Sequence, residues 1–509
     1  MTGLVEPIVP PSQDESDGVL RDVVDASVGR QLFIDDFLIA TSTLGRTWFR
    51  PETDAGNPLM SPTDQEDMNQ GISPVAAPFD DGIVYDDSSR TWRVWYMSGW
   101  FEHTRSRQSV DGVRWTDTPA VSLTGLTTGD PDGLVQRDGS AVCLDYSTGR
   151  RLFRMFRYAR RRPPHFDATE PHRHAAPVER AGGELFSSDD GVHWTYEGAA
   201  GPGGDNTTFF YDPFRARWVF SIRTELGPFG RGRGWHEGAT FAEAGAWSAE
   251  QVVPWISSHG FESDPPVGDM RSSEIYKVTC MPYESVMLGI FAVYRGPSNS
   301  HAEFVSRRPK IIDLYLGVSR DGYHYSVARR PLLRSSRIPG SWDYGYLHMV
   351  NGGILPVADD VRIYYSAFSG LSPALGWHMY AGGAMGMARL RRDGFCAMTP
   401  AGGRRGRLTT VPLRVRGNHL WLNIKTGREP GRVVVHDPAG SGSRVHLLPA
   451  GTDSTRLSIE ICPDGAEQER MIRIEFELEG EAELYSFWVS DRFGRSHGYS
   501  ASGPVEDVT

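Results

Sequence analysis

The chain has 509 residues, more than one ordinary hydrophobic core organises, so two domains are the natural expectation. A formal net charge of −11 with no lysine-rich run argues against sequence-independent binding to nucleic acid. No segment approaches the run of about 20 apolar residues that a membrane span needs, and 57 Gly with 34 Pro favour short strands over long helices.

Residues 1–27, opening MTGLVEPIVPPSQDESDG, have neither a basic n-region nor an apolar h-region. They read as a disordered or loosely attached segment of a cytoplasmic protein. QLFIDDFLIA (31–40) reads as a strand that either closes a sheet of the first domain or packs against the last one.

A two-strand unit then recurs. It appears as IVYDDSSRTWRVWYMSG (83–99), SAVCLDYSTGRRLFRMFRY (140–158), TTFFYDPFRARWVFSIR (207–223), IYKVTCMPYESVMLGIFAVY (275–294) and GGILPVADDVRIYYSAFSG (352–370). Asp-Gly turns follow several of these units: SVDGVRW (109–115), SDDGVHW (188–194), SRDGYHY (319–325) and a weaker RDGF (392–395). Asp-Gly between alternating runs is a hairpin signal, because turn positions there tolerate positive φ. Five units, each completed by an outer hairpin, predict a five-bladed β-propeller over 28–404, a design that hides sheet edges by radial closure. From 405 to 509 the alternating strands VPLRVRGNHLWLNIKT, GRVVVHDPAG, STRLSIEICPDG and RIEFELEGEAELYSFWVS predict a β-sandwich. The fold class is therefore all-β, a propeller followed by a sandwich.

Counting back seven residues from the Asp that ends each first strand gives Asp80 from Asp87, Asp138 from Asp145 and Asp205 from Asp212. In the fourth unit Pro282-Tyr283-Glu284 replaces that Asp, and the matching acid is taken as Glu274; the fifth has Asn351-Gly352-Gly353. Residues entering innermost strands meet at the mouth of a propeller's funnel, so these carboxylates are expected to converge. Like charges in one cleft drive pKa values apart and separate a protonated acid from an ionised base or nucleophile. Arg137, Arg223, Asp269, Arg271, Trp342, Asp343 and His348 are expected to bind substrate, as residues suited to sugar hydroxyls and faces.

Cys143, Cys280, Cys396 and Cys462 show no metal-ligand spacing and read as free, mostly buried thiols. His236, His348 and His378 show none either, so neither metal nor cofactor is expected. The clusters Arg160–Arg161–Arg162, Arg231/Arg233 and Arg404–Arg405 read as solvated loops.

Five blades, inner-strand acids and a trailing sandwich resemble the propeller glycoside hydrolases of the fructosidase and arabinofuranosidase families. The order Asp80, Asp205, Glu274 is similar to their Asp, Asp and Glu, and QRDG (136–139) resembles the fructosidase Arg-Asp-Pro motif, which makes Asp138 a rival for the middle role. The Trp-Met-Asn-Asp and Glu-Cys-Pro motifs are absent, while Asp67-Met68-Asn69 is faintly similar to the first, so Asp67 and Asp81 stand as alternatives to Asp80. The resemblance implies a glycosidase acting on an oligosaccharide, with a furanosidic bond as the expected linkage. Glu274 would be the general acid, Asp80 the nucleophile or base, and Asp205 or Asp138 the group that tunes the acid. A transglycosidase, a glycoside phosphorylase or a non-catalytic sugar-binding propeller are the rival readings, and homo-oligomerisation is open.

Overall fold

The Asp-Gly repeats show how the sequence sets local structure. In the computed structural model, which describes residues 23–86, 89–124, 135–162, 178, 180–259, 264–437, 442–462 and 469–505, three of them form one turn. Asp111, Asp190 and Asp321 each accept the main-chain N–H groups two and three residues ahead at 2.8–2.9 Å. Only the glycine goes left-handed, at φ of 71°, 71° and 76°. Each turn joins the third strand of a sheet to its neighbour: 103–109 to 116–117, 180–188 to 193–199, and 311–319 to 326–327.

RDGF is not a fourth member. Asp393 itself has φ of 58°, lies buried, and links a strand (383–391) to one in a different sheet (396–400). The third sheet replaces the turn with a short helix, Phe241–Gly245, started by a capping box from Thr240 and Glu243.

Five sheets follow one another along the chain, antiparallel except where Ser122–Thr124 runs parallel to residues 193–195 at the edge of the second. Their first strands are Ile83–Asp86, Val135–Asp145, Thr208–Asp212, Glu274–Tyr283 and Gly345–Val357. These pack side by side in a closed ring, the fifth returning to the first. The fifth sheet takes its outermost strand, Glu52–Thr53, from near the N-terminus. Alternating residues of each sheet interdigitate with the next, as Trp95, Phe186 and Trp194 do between the first and second. A terminal hairpin (Tyr499–Ser500 with Gly503–Pro504) seats against the ring: Ser502 Oγ accepts Tyr85 N at 2.9 Å, and Glu284 bridges Tyr499.

Two larger sheets, of seven and six strands, face each other over a core that includes Phe33, Leu38, Leu408, Leu422, Val433, Phe476 and Phe487. Here the expected boundaries shift. Residues 24–25 pair in parallel with Leu413–Arg414 and Ala26 is buried, so the end of the expected loose segment is tied down. Residues 1–22 lie outside the described residues. Gln31–Leu32 pairs with Ser486–Phe487, which settles the open placement of QLFIDDFLIA in favour of the C-terminal sheets. Cys396–Pro400 pairs with Leu44–Trp48 and meets Leu484, so a division at 404 would cut a sheet.

A buried ionic cluster fastens the fourth sheet to these sheets. Arg392 Nη2 donates to Glu284 Oε1 at 2.5 Å, and Arg30 Nη1 to Asp393 Oδ2 at 3.2 Å. Tyr283 and Ser486 hydroxyls donate to the same Asp393 carboxylate at 2.8 and 2.5 Å, and Arg30 lies 4.1 Å over the Trp488 ring. Burial pushes Asp393 up, but Arg30 and Arg392 outweigh it and hold the carboxyl below its ordinary value.

Candidate active site

Three of the four counted acids do enter one cluster. Asp80 precedes the first strand of the first sheet, Asp138 sits at an irregularity in the first strand of the second, and Asp205 leads into that of the third. Arg160 ties two of them, with Nη2 at 2.5 Å from Asp138 and 3.8 Å from Asp205. Arg223 Nη1 donates to Asp205, and Arg231 Nη2 lies 3.9 Å from it.

The fourth position is a correction. Seven residues before Glu284 stands Lys277, not Glu274, and Lys277 also follows an irregularity in its strand. Its Nζ donates to Asp80 Oδ1 at 2.6 Å and to the carbonyl of Met349 at 2.8 Å, with both side chains fully buried. His348 of the fifth sheet completes the floor, its Nδ1 3.5 Å from Asp80 Oδ1 and its ring 4.1 Å from that of Phe79. Burial drives His348 down to about 4, so it is neutral at pH 7.

Glu274 opens the first strand of the fourth sheet, nearer the mouth and half-buried. It lies in the field of Arg231 and shares that of Arg223 with Asp205. A Cβ on Gly230 would lie 2.6 Å from Glu274 Oε1, so the glycine leaves room for the carboxyl. Exposure falls steadily inward: the Arg223 side chain is 32% exposed, Asp205 14% and Asp80 0%.

The four environments split the carboxyls. Burial raises Glu274 above its ordinary value, only partly offset by Arg231. It lifts Asp138 to about 6 despite Arg160. Asp205 is also desolvated, yet Arg231, Arg223, Arg160 and Lys310 hold it well below the usual carboxylate range. Asp80 is likewise held down, by Lys277 and His348 against its burial. Aromatic rings line the same region: Trp100 stacks on Tyr380 at 4.2 Å and on Phe101 at 4.7 Å, and Arg160 covers Phe101 at 5.5 Å. The hydroxyls of Tyr276 and Tyr346 meet at 2.7 Å.

Other sequence-chosen residues lie elsewhere. Arg137 is spent on Asp81, gripping it through three contacts of 2.9–3.1 Å, and burial still raises Asp81 to about 6. Asp67 is held by Ser98 and Arg107, both of the first sheet, and makes no hydrogen bond with Asp80. Trp342 packs on Tyr365 at 5.3 Å and over Gly386, because the fifth sheet's glycine leaves a slot its ring fills. Asp343 accepts the hydroxyl of Ser341 within its own turn. Asp269 is exposed and caps the Ser298 turn at 2.6 and 2.8 Å; Arg271 is exposed beside it.

The arginine clusters were misjudged in the other direction. Arg160 reaches the acids, Arg161 and Arg157 clamp Glu184, and Arg162 is buried on Gln136. Arg233 is buried beneath the site and bonded to main-chain carbonyls. Arg404 and Arg405 are solvated as expected. The missed signal was register: residues 231 and 233 occupy a strand that pairs with 223–225, beside Asp205. The four cysteines are free, Cys280 and Cys396 fully buried, Cys143 and Cys462 partly.

No protein-family model matches the chain, and no curated protein matches it. Solved structures similar to it include an N-acetylgalactosamine deacetylase from F. plautii in complex with blood group B trisaccharide. That pair is 12% identical with a TM-score of 0.41, covering 70% of this chain and 96% of the other. An exo-β-1,3-galactanase from Phanerochaete chrysosporium with galactose is 12% identical with a TM-score of 0.38, covering 88% and 99%. A glycoside hydrolase family 43 arabinoxylan arabinofuranohydrolase from Bacillus subtilis, in complex with cellotetraose, is 11% identical with a TM-score of 0.38, covering 82% and 96%. Glycoside hydrolases thus stand among the structural neighbours, as the resemblance to that class implied, but the likeness is distant and the chemistry below rests on this chain's own residues.

Proposed function

We propose that this chain is a glycoside hydrolase on a five-bladed β-propeller, with a β-sandwich assembled from both ends of the chain. Support for the propeller is the closed ring of first strands; the sandwich would take strands within 24–48 and from 396 onward. What carries the catalytic reading is the split among Asp80, Asp138 and Asp205, which cluster, and Glu274, which shares the Arg223 and Arg231 field of Asp205. Two are raised and two lowered, beside stacked aromatic rings.

Glu274, raised and open to the mouth, donates the proton to the leaving oxygen of a glycosidic bond in an oligosaccharide, a furanosidic bond by the resemblance noted above. Its counterpart is an ionised carboxylate that solvent reaches. Asp205 fits that part better than Asp80, which is sealed between Lys277 and His348 and steadies the floor. Asp138, near neutrality and sharing Arg160 with Asp205, tunes the pair.

The test is a screen of purified protein against nitrophenyl glycosides and natural fructo-, arabino- and galacto-oligosaccharides, with Glu274→Gln and Asp205→Asn alongside. Sugar release that falls by a factor on the order of 10²–10⁴ in Glu274→Gln is expected for loss of a general acid. Wild-type turnover untouched by both substitutions would sink the assignment, as would sugar binding with no cleavage of any substrate.

A further inference from the structure

The cations of the site outnumber the bonds its own acids make to them. Arg160 is engaged by Asp138, and Arg223 by Asp205. Arg231 is different: 8% exposed, its Nε and Nη2 have no hydrogen-bond partner among the described residues. Its closest carboxylate oxygen, on Asp205, is 3.9 Å away, and its guanidinium lies 3.7 Å over the ring of Tyr276. Lys310, 4% exposed, touches the same ring system: Nζ is 3.4 Å from the Tyr276 hydroxyl and 5.0–5.5 Å from the ring centres of Tyr276, Tyr294 and Tyr346.

Stacking on an aromatic face fixes a guanidinium's plane and leaves its edge free to donate. Leaving the donors of a buried cation unmet is costly, and an incoming anion would relieve that cost. The two donors of Arg231 point along one edge, the arrangement that receives two oxygens of a carboxylate or phosphate. Glu274 feels the charge of Arg231 but makes no hydrogen bond to this edge.

We propose that the ligand of this site carries an oxyanion, seated on the guanidinium edge of Arg231, with Lys310, which contacts the same Tyr276, adding to the positive field. The inference rests on the reading of the site as one that takes a glycoside, and it specifies the chemistry of the substrate. The carboxylate of a uronic acid and a phosphate, on the sugar or free, offer the same two oxygens.

Calorimetric titration of the full chain with galacturonate, glucuronate, galactose, glucose and inorganic phosphate tests this. At least one anion binds on the order of tenfold or more tightly than its neutral counterpart, the worth of one charge-assisted hydrogen bond. Arg231→Gln removes that preference, Arg231→Lys keeps part of it, and raised salt weakens it; thermal melts of both variants establish that they fold. Uronate binding alone marks an acidic sugar, whereas phosphate binding alone marks phosphate. Neutral sugars binding as well as the anions, no anion binding, or an undiminished preference in Arg231→Gln would each overturn the proposal. Anion binding without turnover of any glycoside would sink the hydrolase and spare this inference; turnover of neutral glycosides with no anion effect would do the reverse.

Discussion

Two clusters of buried charge sit in this molecule, and they are balanced differently. In the cluster that fastens the fourth sheet to the C-terminal sheets, two arginines face two carboxylates, each with an opposite partner within 3.2 Å and only the arginine Nε atoms spare. In the candidate site Arg231, His348 and one oxygen of Asp80 keep unmet hydrogen-bonding capacity. Charge that a fold needs for its own cohesion is closed upon itself. Charge kept for a visitor is left partly open, and its cost must be carried by the well-packed remainder.

The sharpest way to break this contrast is to open the closed cluster. Asp393→Ala strands Arg30 and removes the acceptor of two hydroxyls, so a loss of about 3–5 kcal/mol is expected in urea unfolding, with substrate binding intact in the protein that stays folded. An equal fall in affinity would mean that the two clusters are one system. Next comes the floor of the site: Lys277→Met alone leaves Asp80 uncompensated and should cost about 3 kcal/mol, whereas Lys277→Met with Asp80→Asn should recover most of it. A double variant as unstable as the single one would show that Lys277 acts through packing.

The smallest effect is in pH. Burial lifts the Asp138 carboxyl to about 6, above its unfolded value of 3.8, so the folded state binds the proton more tightly. Its contribution is therefore most favourable below pH 3.8 and is lost as pH rises through about 6. Asp138→Asn should flatten the melting temperature between those limits relative to wild type, beyond whatever slope Asp81 contributes; an unchanged profile would mean that Asp138 titrates normally.

How much of this was legible beforehand depended on range. The Ser-x-Asp-Gly turns were readable because the carboxylate caps amides only two and three residues away. Asp80, Asp138 and Asp205 were reachable because consecutive units repeat one spacing from mouth to turn. Lys277 obeys the same count from Glu284, but its pairing with Asp80 is invisible in sequence, because charge compensation inside a ring cannot be read from one strand. The arginines were misjudged because a cluster in a Gly-rich stretch looks the same whether it meets solvent or a neighbouring sheet. Pairings such as Gln31–Leu32 with Ser486–Phe487 leave no local signature at all.

The strand at 52–53 that completes the fifth sheet has a consequence in time. Asp54 and Arg389, which hold that seam with a 2.9 Å ion pair, are 335 positions apart, and Ala388 aligns with Thr53. A ribosome has released the early edge long before its partner exists, so the ring cannot shut until most of the polypeptide has been made. The residues between 24 and 42 wait longer still, for strands beyond 406. Joining such distant pieces is slow, and exposed edges in the interval invite the wrong neighbour. The segment from residue 24 to 42 is thus made early and placed late, and yield in the cell will depend on how well those waiting edges are shielded.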